Sequence, residues 1–423
     1  MNFKTKFCAG PIEKSINLDS GIYIPSFEEE KEIIVTFQEL ALRRKDTKYP
    51  FSCLQTDLFS AMLKEQKFIK LLKENPIQNI SENIQEMLFE KLSLPLHAMR
   101  EIANGMGFRF MDYNYALMQA IGSQSNGVDN LFSEGIMHEL DFFGALSDIT
   151  PSDKQVFLCS LCDLVGTGDI LTKDKEEFEI IEVKKGHPRG ARITRQKDKL
   201  KSLENYLNSK SENVNGHEIK LINLPTRKNY CAQLDKSIGD CLQNSFSKFY
   251  ISDYQIVYCF NTRDSNNLSL DFLDKIYLEV EKEFGKRFID FKSQKYMLKT
   301  GLTVPFSVFP ISPGNLAELL LQGVFFISFI SLDAVEKHII NKGWNFVNII
   351  KETYENQLFS TPLYLVVDKN NEDHNFSIPA DYLFDCGINF IDLDCLLENS
   401  IYISNNYTGW FSLCYEDEYK IWQ

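Results

Sequence analysis

Two carboxylates and one ammonium group occur at a spacing that could place them around a metal ion. Asp169 begins a short apolar run, and Glu182 and Lys184 lie one residue apart at the end of the next run. Side chains alternate along a strand, so Glu182 and Lys184 share a face, and a turn near residues 174–177 would bring Asp169 opposite them. Asp169, Glu182 and the Val183 carbonyl could supply the oxygen ligands that Mg²⁺ prefers. Lys184 would then contact a metal-bound water or a phosphate, which is the chemistry of metal-assisted phosphate-ester hydrolysis.

The acid-x-Lys triple is weak evidence by itself because it recurs along the chain. It also occurs at Glu29–Lys31, Asp46–Lys48, Glu65–Lys67, Glu218–Lys220, Asp290–Lys292 and Glu418–Lys420. Glu182–Lys184 differs in context, since it ends an apolar strand, follows an Asp-bearing strand and precedes a helix. Glu218–Lys220 also lies on a predicted strand, but a helix precedes that strand.

A basic segment begins at the same lysine. Between Lys184 and Lys201, eight Lys or Arg residues accompany a single acid, a formal charge of +7 within a chain of net charge −14. A uniformly acidic protein binds polyanions poorly, so nucleic-acid binding needs such a local patch. The alternative is an ordinary solvated helix face. We expect nucleic-acid contacts from Lys185, Arg189, Arg192, Arg195 and Lys199.

Asp169, followed at a hairpin's length by Glu182-Val-Lys184, resembles the pattern of the PD-(D/E)XK nuclease superfamily, the restriction-endonuclease-like and RecB-like nucleases. The resemblance implies an αβββαβ core, an Mg²⁺ or Mn²⁺ cofactor and catalytic roles for these three residues. It covers about residues 129–224 and extends at most to residue 261. The superfamily pattern has a Pro before the Asp, whereas this chain has Gly168.

The resemblance also implies further site residues. Asp169, Glu182 and Val183 would bind the metal. Many superfamily members carry a Glu on the helix before the sheet and a Gln on the helix after it, and Glu139 and Gln196 occupy those positions here. We therefore expect Glu139 and Gln196 to belong to the site.

Several residues have simpler explanations. Glu139 could be a surface or helix-capping carboxylate, and Gln196 could lie on a solvated helix face. Asp163 could substitute for Asp169, although it precedes a Gly-Thr-Gly turn. An isolated His is more often a surface or hydrogen-bonded residue than a catalyst, which applies to His138 and His187. The chain has no G-x-x-x-x-G-K-[ST] motif, so nothing indicates ATP binding.

The alternation of helix and strand patterns indicates an α/β protein of α+β type, with a mixed sheet flanked by helices. We predict a helical N-terminal region at residues 1–125, a nuclease-like domain at 126–261 and a C-terminal α/β region at 262–423. Helices are expected at 129–146, 193–208, 234–249, 270–284 and 332–341. Strands are expected at 155–162, 168–172, 178–185, 218–224, 254–260, 304–309, 324–330 and 363–367.

Composition excludes several classes of protein. Of 423 residues, 44% are hydrophobic and 25% charged, which is typical of globular chains and excludes disordered or collagen-like ones. The ten cysteines are irregularly spaced, and the single CxxC, Cys159 to Cys162, has no second pair at zinc-ribbon spacing, so buried reduced thiols are expected. The start lacks a signal-peptide core, and the most apolar stretch, 316–335, carries too many polar residues to span a bilayer. We expect a cytoplasmic protein with no membrane contact.

Three functions are compatible with these patterns. The first is a metal-dependent nuclease that cuts DNA. The second is a non-catalytic protein that binds nucleic acid or a partner on a nuclease-like fold. The third is a phosphoesterase for a small substrate, which the extended basic segment disfavours. The resemblance further implies a role in restriction or phage defence, with a homodimer or a separate regulatory or ATPase partner.

Overall fold

The computed structural model describes residues 26–40, 51–74, 82–112, 131, 133–151, 154–163, 165, 168–175, 177–183, 201, 204–205, 208, 211–214, 217–224, 228–263, 270–293, 305–348, 362–368, 371–406 and 411–415. The chain forms two compact units. The N-terminal unit comprises residues 12–224, 300–309 and 409–423, and the C-terminal unit comprises residues 1–11, 225–299 and 310–408. Three regions were predicted. The helical residues before 112 instead share one unit with the strands of residues 154–224.

Helices dominate the first part of the N-terminal unit, as predicted. They are α1 (Phe27–Gln38), α2 (Phe51–Glu74), α3 (Glu82–Phe110) and α4 (Glu134–Ile149). A capping box starts α1, because the Ser26 hydroxyl accepts from the Glu29 N–H while the Glu29 carboxylate accepts from the Ser26 N–H. Ser133 caps α4 through the N–H of Ile136. None of the described helices has the length and apolar character needed to cross a membrane.

Three antiparallel strands follow α4. They are β1 (Lys154–Leu158), β2 (Ile170–Asp174) and β3 (Glu177–Ile181), in the order β1-β2-β3. Leu158 pairs with Ile170, and Ile170 pairs with Ile181. The strand predicted at 155–162 is shorter than expected, because Cys159–Leu161 form a 3₁₀ turn. The strand predicted at 178–185 ends at Ile181.

Side-chain amides cover both outer edges of this sheet. At the β1 edge, Gln55 of α2 donates to the Val156 carbonyl and accepts from the Leu158 N–H, each at 2.8 Å. At the β3 edge, Asn208 accepts from the N–H of Phe178 at 2.8 Å and donates to its carbonyl at 3.0 Å. Buried backbone groups need such partners, so these amides replace neighbouring strands.

The strand predicted at 218–224 belongs to a different sheet. β4 (Ser211–Val214) pairs antiparallel with β5 (His217–Leu224), and a strand from the C-terminal end of the chain, Phe411–Tyr415, pairs parallel with β5. In the described residues, β5 forms no pair with β3. The prediction that β5 joins the same sheet as β3 is therefore wrong; in the part of the chain that the structure describes, the Asn208 amide, and not a strand, binds Phe178 at the β3 edge.

The first part of the C-terminal unit consists, in chain order, of α5 (Cys231–Asn244), β6 (Phe246–Ser252), β7 (Gln255–Asn261), α6 (Leu270–Phe284), β8 (Phe288–Lys292), α7 (Pro313–Leu320), β9 (Val324–Ser331) and α8 (Leu332–Asn341). The four strands form an antiparallel sheet of order β6-β7-β9-β8. Phe260 and Phe325 stack on this sheet with ring centroids 4.7 Å apart, and apolar side chains of the long helix α6 pack on the same face.

A second antiparallel sheet and two helices complete this unit. They are β10 (Trp344–Asn348), β11 (Pro362–Asp368), β12 (Asn371–Pro379), α9 (Ala380–Gly387) and α10 (Leu393–Asn406), and Phe411–Tyr415 of the N-terminal unit is β13.

Two predictions of secondary structure are corrected. The helix predicted at 234–249 ends at Asn244, because Ser245 adopts a left-handed φ of 67°. The run predicted as a strand at 304–309 contains a 3₁₀ turn, Phe306–Val308.

Candidate functional site

The β2–β3 hairpin brings the two predicted carboxylates to one end of the sheet. Asp169 directly precedes β2 and Glu182 directly follows β3, and the first pair of residues inside the hairpin is Ile170 with Ile181. At the opposite end, Asp174 pairs with Glu177 and the chain reverses through Lys175, whose φ is 56°. The predicted hairpin is therefore confirmed, with its turn at the expected residues.

Gly168 fits the chain into this position. Its φ is 80°, a left-handed conformation that glycine adopts without strain. A Cβ atom at Gly168 would overlap Cγ2 of Ile180 on the adjacent strand. A proline cannot adopt a positive φ, so proline could not replace Gly168 without a change in the backbone.

Three hydrogen bonds fix Asp169. Its N–H donates to the Ile181 carbonyl at 3.0 Å, and its carbonyl accepts from the Cys159 N–H at 3.0 Å. Its carboxylate oxygen Oδ2 accepts from the Val183 N–H at 2.5 Å. Because Val183 bonds to a side chain rather than to a main-chain carbonyl, strand pairing stops here and β3 ends at Ile181. The same bond places the backbone of Glu182 and Val183 beside the Asp169 carboxylate.

Glu139 of α4 lies close to this carboxylate. The pKa of Glu139 is raised to about 7, mainly by burial and also by the negative charge of Asp169, against the opposing effect of Ser160. The Ser160 hydroxyl is close enough to act electrostatically but makes no hydrogen bond of normal geometry among the described residues. A carboxyl group that titrates near neutral pH beside a second carboxylate is typical of a functional site.

The cysteines near the site are buried, as predicted. Burial raises the pKa of the Cys159 thiol well above its usual range, and the charges of Asp169, Cys162 and Glu139 act in the same direction. Cys162 is also buried, and its Sγ donates to Oδ1 of Asn104 at 3.1 Å. Buried, protonated thiols are poor nucleophiles and poor metal ligands. The CxxC pair is therefore a packing element.

The described residues include two further candidates, Asp163 and His138. Asp163 forms an ion pair with Arg100, and both side chains are mostly buried. Because this ion pair occupies the Asp163 carboxylate, Asp163 does not take the place of Asp169. His138 is exposed on α4. Lys184, Lys185, His187, Arg189, Arg192, Arg195, Gln196 and Lys199 lie outside the described residues.

The described side chains do not by themselves form a closed metal site. Among them, no three His, Cys, Asp or Glu side chains converge closely enough to hold a metal ion. Mg²⁺ does not require three, because it is often bound through one or two carboxylates and keeps several waters. Asp169, Glu182 and the Val183 carbonyl offer hard oxygen donors, so the donor set fits Mg²⁺ or Mn²⁺.

The sequence did not indicate how helix α3 contributes to this region. Arg100 and Asn104 of α3 contact the connection between β1 and β2. A buried Arg and Asn one turn apart on an otherwise apolar helix face would have been a usable signal, since such groups require partners. No protein-family model, no curated protein and no solved structure matches the chain.

Proposed function

We propose that the chain is a metal-dependent nuclease that hydrolyses phosphodiester bonds, with DNA as the substrate and Mg²⁺ or Mn²⁺ as the cofactor. The observation that carries this proposal is the hydrogen bond from the Val183 N–H to the Asp169 carboxylate, which sets Glu182 and Val183 beside Asp169. Glu139 lies near Asp169 but, among the described residues, does not complete a metal-binding group of three side chains. A hard cation that keeps part of its water shell can be held by one or two carboxylates.

Each residue would have a distinct role. The bound metal would lower the pKa of a water molecule and neutralise charge on the phosphate. Asp169, Glu182 and the Val183 carbonyl would hold the metal. Glu139 would hold or release a proton beside the reacting water, because its pKa of about 7 allows both states at neutral pH. The sequence adds Lys184 and the basic segment after it for contacts with phosphates.

The proposed fold is a restriction-endonuclease-like core, supported by the order α4, β1, β2, β3 and the antiparallel pairing of the three strands. The separate sheet of β5 departs from the expected mixed sheet. A role in restriction or phage defence, with a homodimer or an ATPase partner, rests only on the sequence resemblance.

A cleavage assay tests the proposal. Purified protein is incubated with plasmid, linear double-stranded DNA, single-stranded DNA or RNA, in Mg²⁺, Mn²⁺ or EDTA. Three site variants are compared with two matched controls. The site variants are Asp169→Asn, Glu182→Gln and Lys184→Ala. The controls, Glu218→Gln and Lys220→Ala, change the acid and the lysine of another acid-x-Lys sequence, which lies on β5. We expect metal-dependent cleavage that each site variant lowers by about 10²-fold or more and that the control variants retain.

The outcomes separate the candidate functions. Cleavage retained by all three site variants would refute the assigned residues. Binding of DNA without cleavage in any metal would favour the non-catalytic function, in which the basic segment docks nucleic acid on a nuclease-like fold.

A further inference from the structure

The side chain of Asn104 on α3 binds the connection between β1 and β2. Oδ1 of Asn104 accepts from the Asp163 N–H at 3.0 Å and from Cys162 Sγ at 3.1 Å. Asn104 is only 1% exposed. One buried acceptor therefore binds two consecutive residues of the connection, and both would lose this hydrogen bond if Asn104 were replaced by an apolar residue.

Arg100 holds the same connection one helical turn earlier. Its guanidinium pairs with the Asp163 carboxylate, and the two side chains are 8% and 12% exposed. Residues four apart lie on one face of a helix, so Arg100 and Asn104 together face Asp163. Losing one partner of a buried ion pair leaves the other charge uncompensated, which makes this contact a strong restraint on the connection.

The opposite ends of this connection meet at the proposed site. The N–H of Cys159, where the connection starts, donates to the carbonyl of Asp169, where it ends. Val165, between them, is buried. The segment fastened by α3 is therefore the same segment whose last residue presents the Asp169 carboxylate to the Val183 N–H.

We propose that Arg100 and Asn104 are positioning residues for the Asp169 carboxylate. They act through Asp163 and Cys162 and touch neither metal nor substrate. This inference rests on the proposed function, since it assigns the placement of Asp169 to α3. A displacement of about 1 Å in a reacting constellation can cost roughly 10²-fold in rate, so a loosened connection impairs cleavage without removing any site group.

The test uses Arg100→Gln and Asn104→Leu, with Arg100→Lys as the conservative variant that retains a charge for Asp163. The matched control is Lys173→Met. Lys173 is also a buried cation that binds the end of α3, through the Phe110 carbonyl and the Asp112 carboxylate, but it lies towards the other end of β2. All variants are made in the full chain, and their thermal unfolding is measured first.

Two readouts are then compared. The first is hydrogen exchange at the amides of Cys159 and Val183, both of which donate to Asp169. The second is the cleavage rate as a function of Mg²⁺ concentration. We expect exchange at both amides to rise by about tenfold or more, cleavage to fall by about 10²-fold and half-saturation to need more Mg²⁺. Lys173→Met should change these readouts by less than about threefold, and Arg100→Lys should recover most of the loss.

Arg100→Gln and Asn104→Leu that match Lys173→Met in amide exchange and in cleavage would overturn the proposal. A wild-type chain that cleaves nothing would instead refute the proposed function. In that case amide exchange at Val183 still decides whether α3 positions Asp169.

Discussion

A buried pair of glutamates in the N-terminal unit makes its stability depend on pH. Glu30 of α1 is 6% exposed and Glu65 of α2 is 5% exposed. The pKa of Glu30 is raised to about 8: burial is the largest cause, and the charges of Glu65 and Glu29 also raise the pKa against that of Lys64. Burial also raises the pKa of Glu65, again against Lys64. Within the described residues, Oε2 of Glu30 has no hydrogen-bond partner.

The sign of the effect follows from linkage. The folded chain keeps a proton on Glu30 at pH values where the unfolded chain has released it, so stability falls as pH rises from about 4.5 to about 8. At ~1.36 kcal/mol per pKa unit, the loss of unfolding free energy between about pH 5.5 and about pH 8.5 is about 3 kcal/mol. Glu30→Gln keeps the shape and removes the titration. The variant should therefore be more stable than the wild type at the higher pH.

Hydrogen exchange of the α1 and α2 amides measures the local free energy of unfolding around Glu30. A local measurement is needed because a chain of two units need not unfold in one step. After correction for intrinsic exchange, wild-type protection should fall by about 10²-fold between the two pH values, and that of Glu30→Gln should change far less. The control is Glu32→Gln, an exposed glutamate on the same helix. Equal pH dependence in the wild type and Glu30→Gln, or lower stability of Glu30→Gln at high pH, would refute the reasoning.

Two further changes test the elements that carry the site. Gly168→Ala should destabilise the N-terminal unit by about 1–3 kcal/mol and abolish cleavage, because the φ of Gly168 is positive and an added Cβ meets the neighbouring strand. The control is Gly135→Ala on α4, where an added Cβ meets no atom within 4 Å. In melting and cleavage assays this control should keep the wild-type stability and activity. Gln55→Leu should cost about 2–4 kcal/mol by denaturant unfolding, since it leaves the Val156 carbonyl and Leu158 N–H unpaired, and unchanged stability would contradict the role of Gln55 at the β1 edge.

Local signals in the sequence were enough to predict a helix where hydrophobic periodicity and a capping residue indicate the same bounds. The helices predicted at 270–284 and 332–341 are observed at those residues. For the second, the Ser331 hydroxyl accepts from the Ala334 N–H, a capping pattern visible in the sequence. The helix predicted at 234–249 was too long because Ser245 is left-handed, a conformation for which a non-glycine residue gives little warning.

Contacts between distant segments were not predictable in this way. The apolar run at 304–309 alternates like a strand, yet Phe306 and Ser307 bind Glu101 of α3, about 200 positions earlier in the chain, and form a 3₁₀ turn. The pKa of Glu101 is raised to about 7, because the effect of burial exceeds that of the hydrogen bonds from Phe306, Asn104 and Ser307, which lower it. Such long-range partners override local patterns.

In the candidate site, too, local features were predictable from the sequence and contacts between distant segments were not. The types and spacing of Asp169 and Glu182 predicted the hairpin and its turn, because a two-strand register is a local property. The expectation that Glu139 belongs to the site came from the family resemblance; the structure shows that the charge of Asp169 acts on Glu139, and the role of Glu139 stays a prediction. The contribution of Arg100 to the Asp163 region could not be read from the sequence, since the two residues are 63 positions apart.

The edges of the β1-β2-β3 sheet bear on how the proposed core could be completed. With β2 in the centre, a fourth strand can join only beside β1 or beside β3. Gln55 occupies the backbone groups of β1, and Asn208 occupies those of Phe178 on β3. A strand added at β3 would have to displace the two hydrogen bonds of Asn208. The carboxylates lie at the end of the hairpin and not along its outer edge, so the pairing of β5 in another sheet leaves the contact between Asp169 and Val183 unchanged.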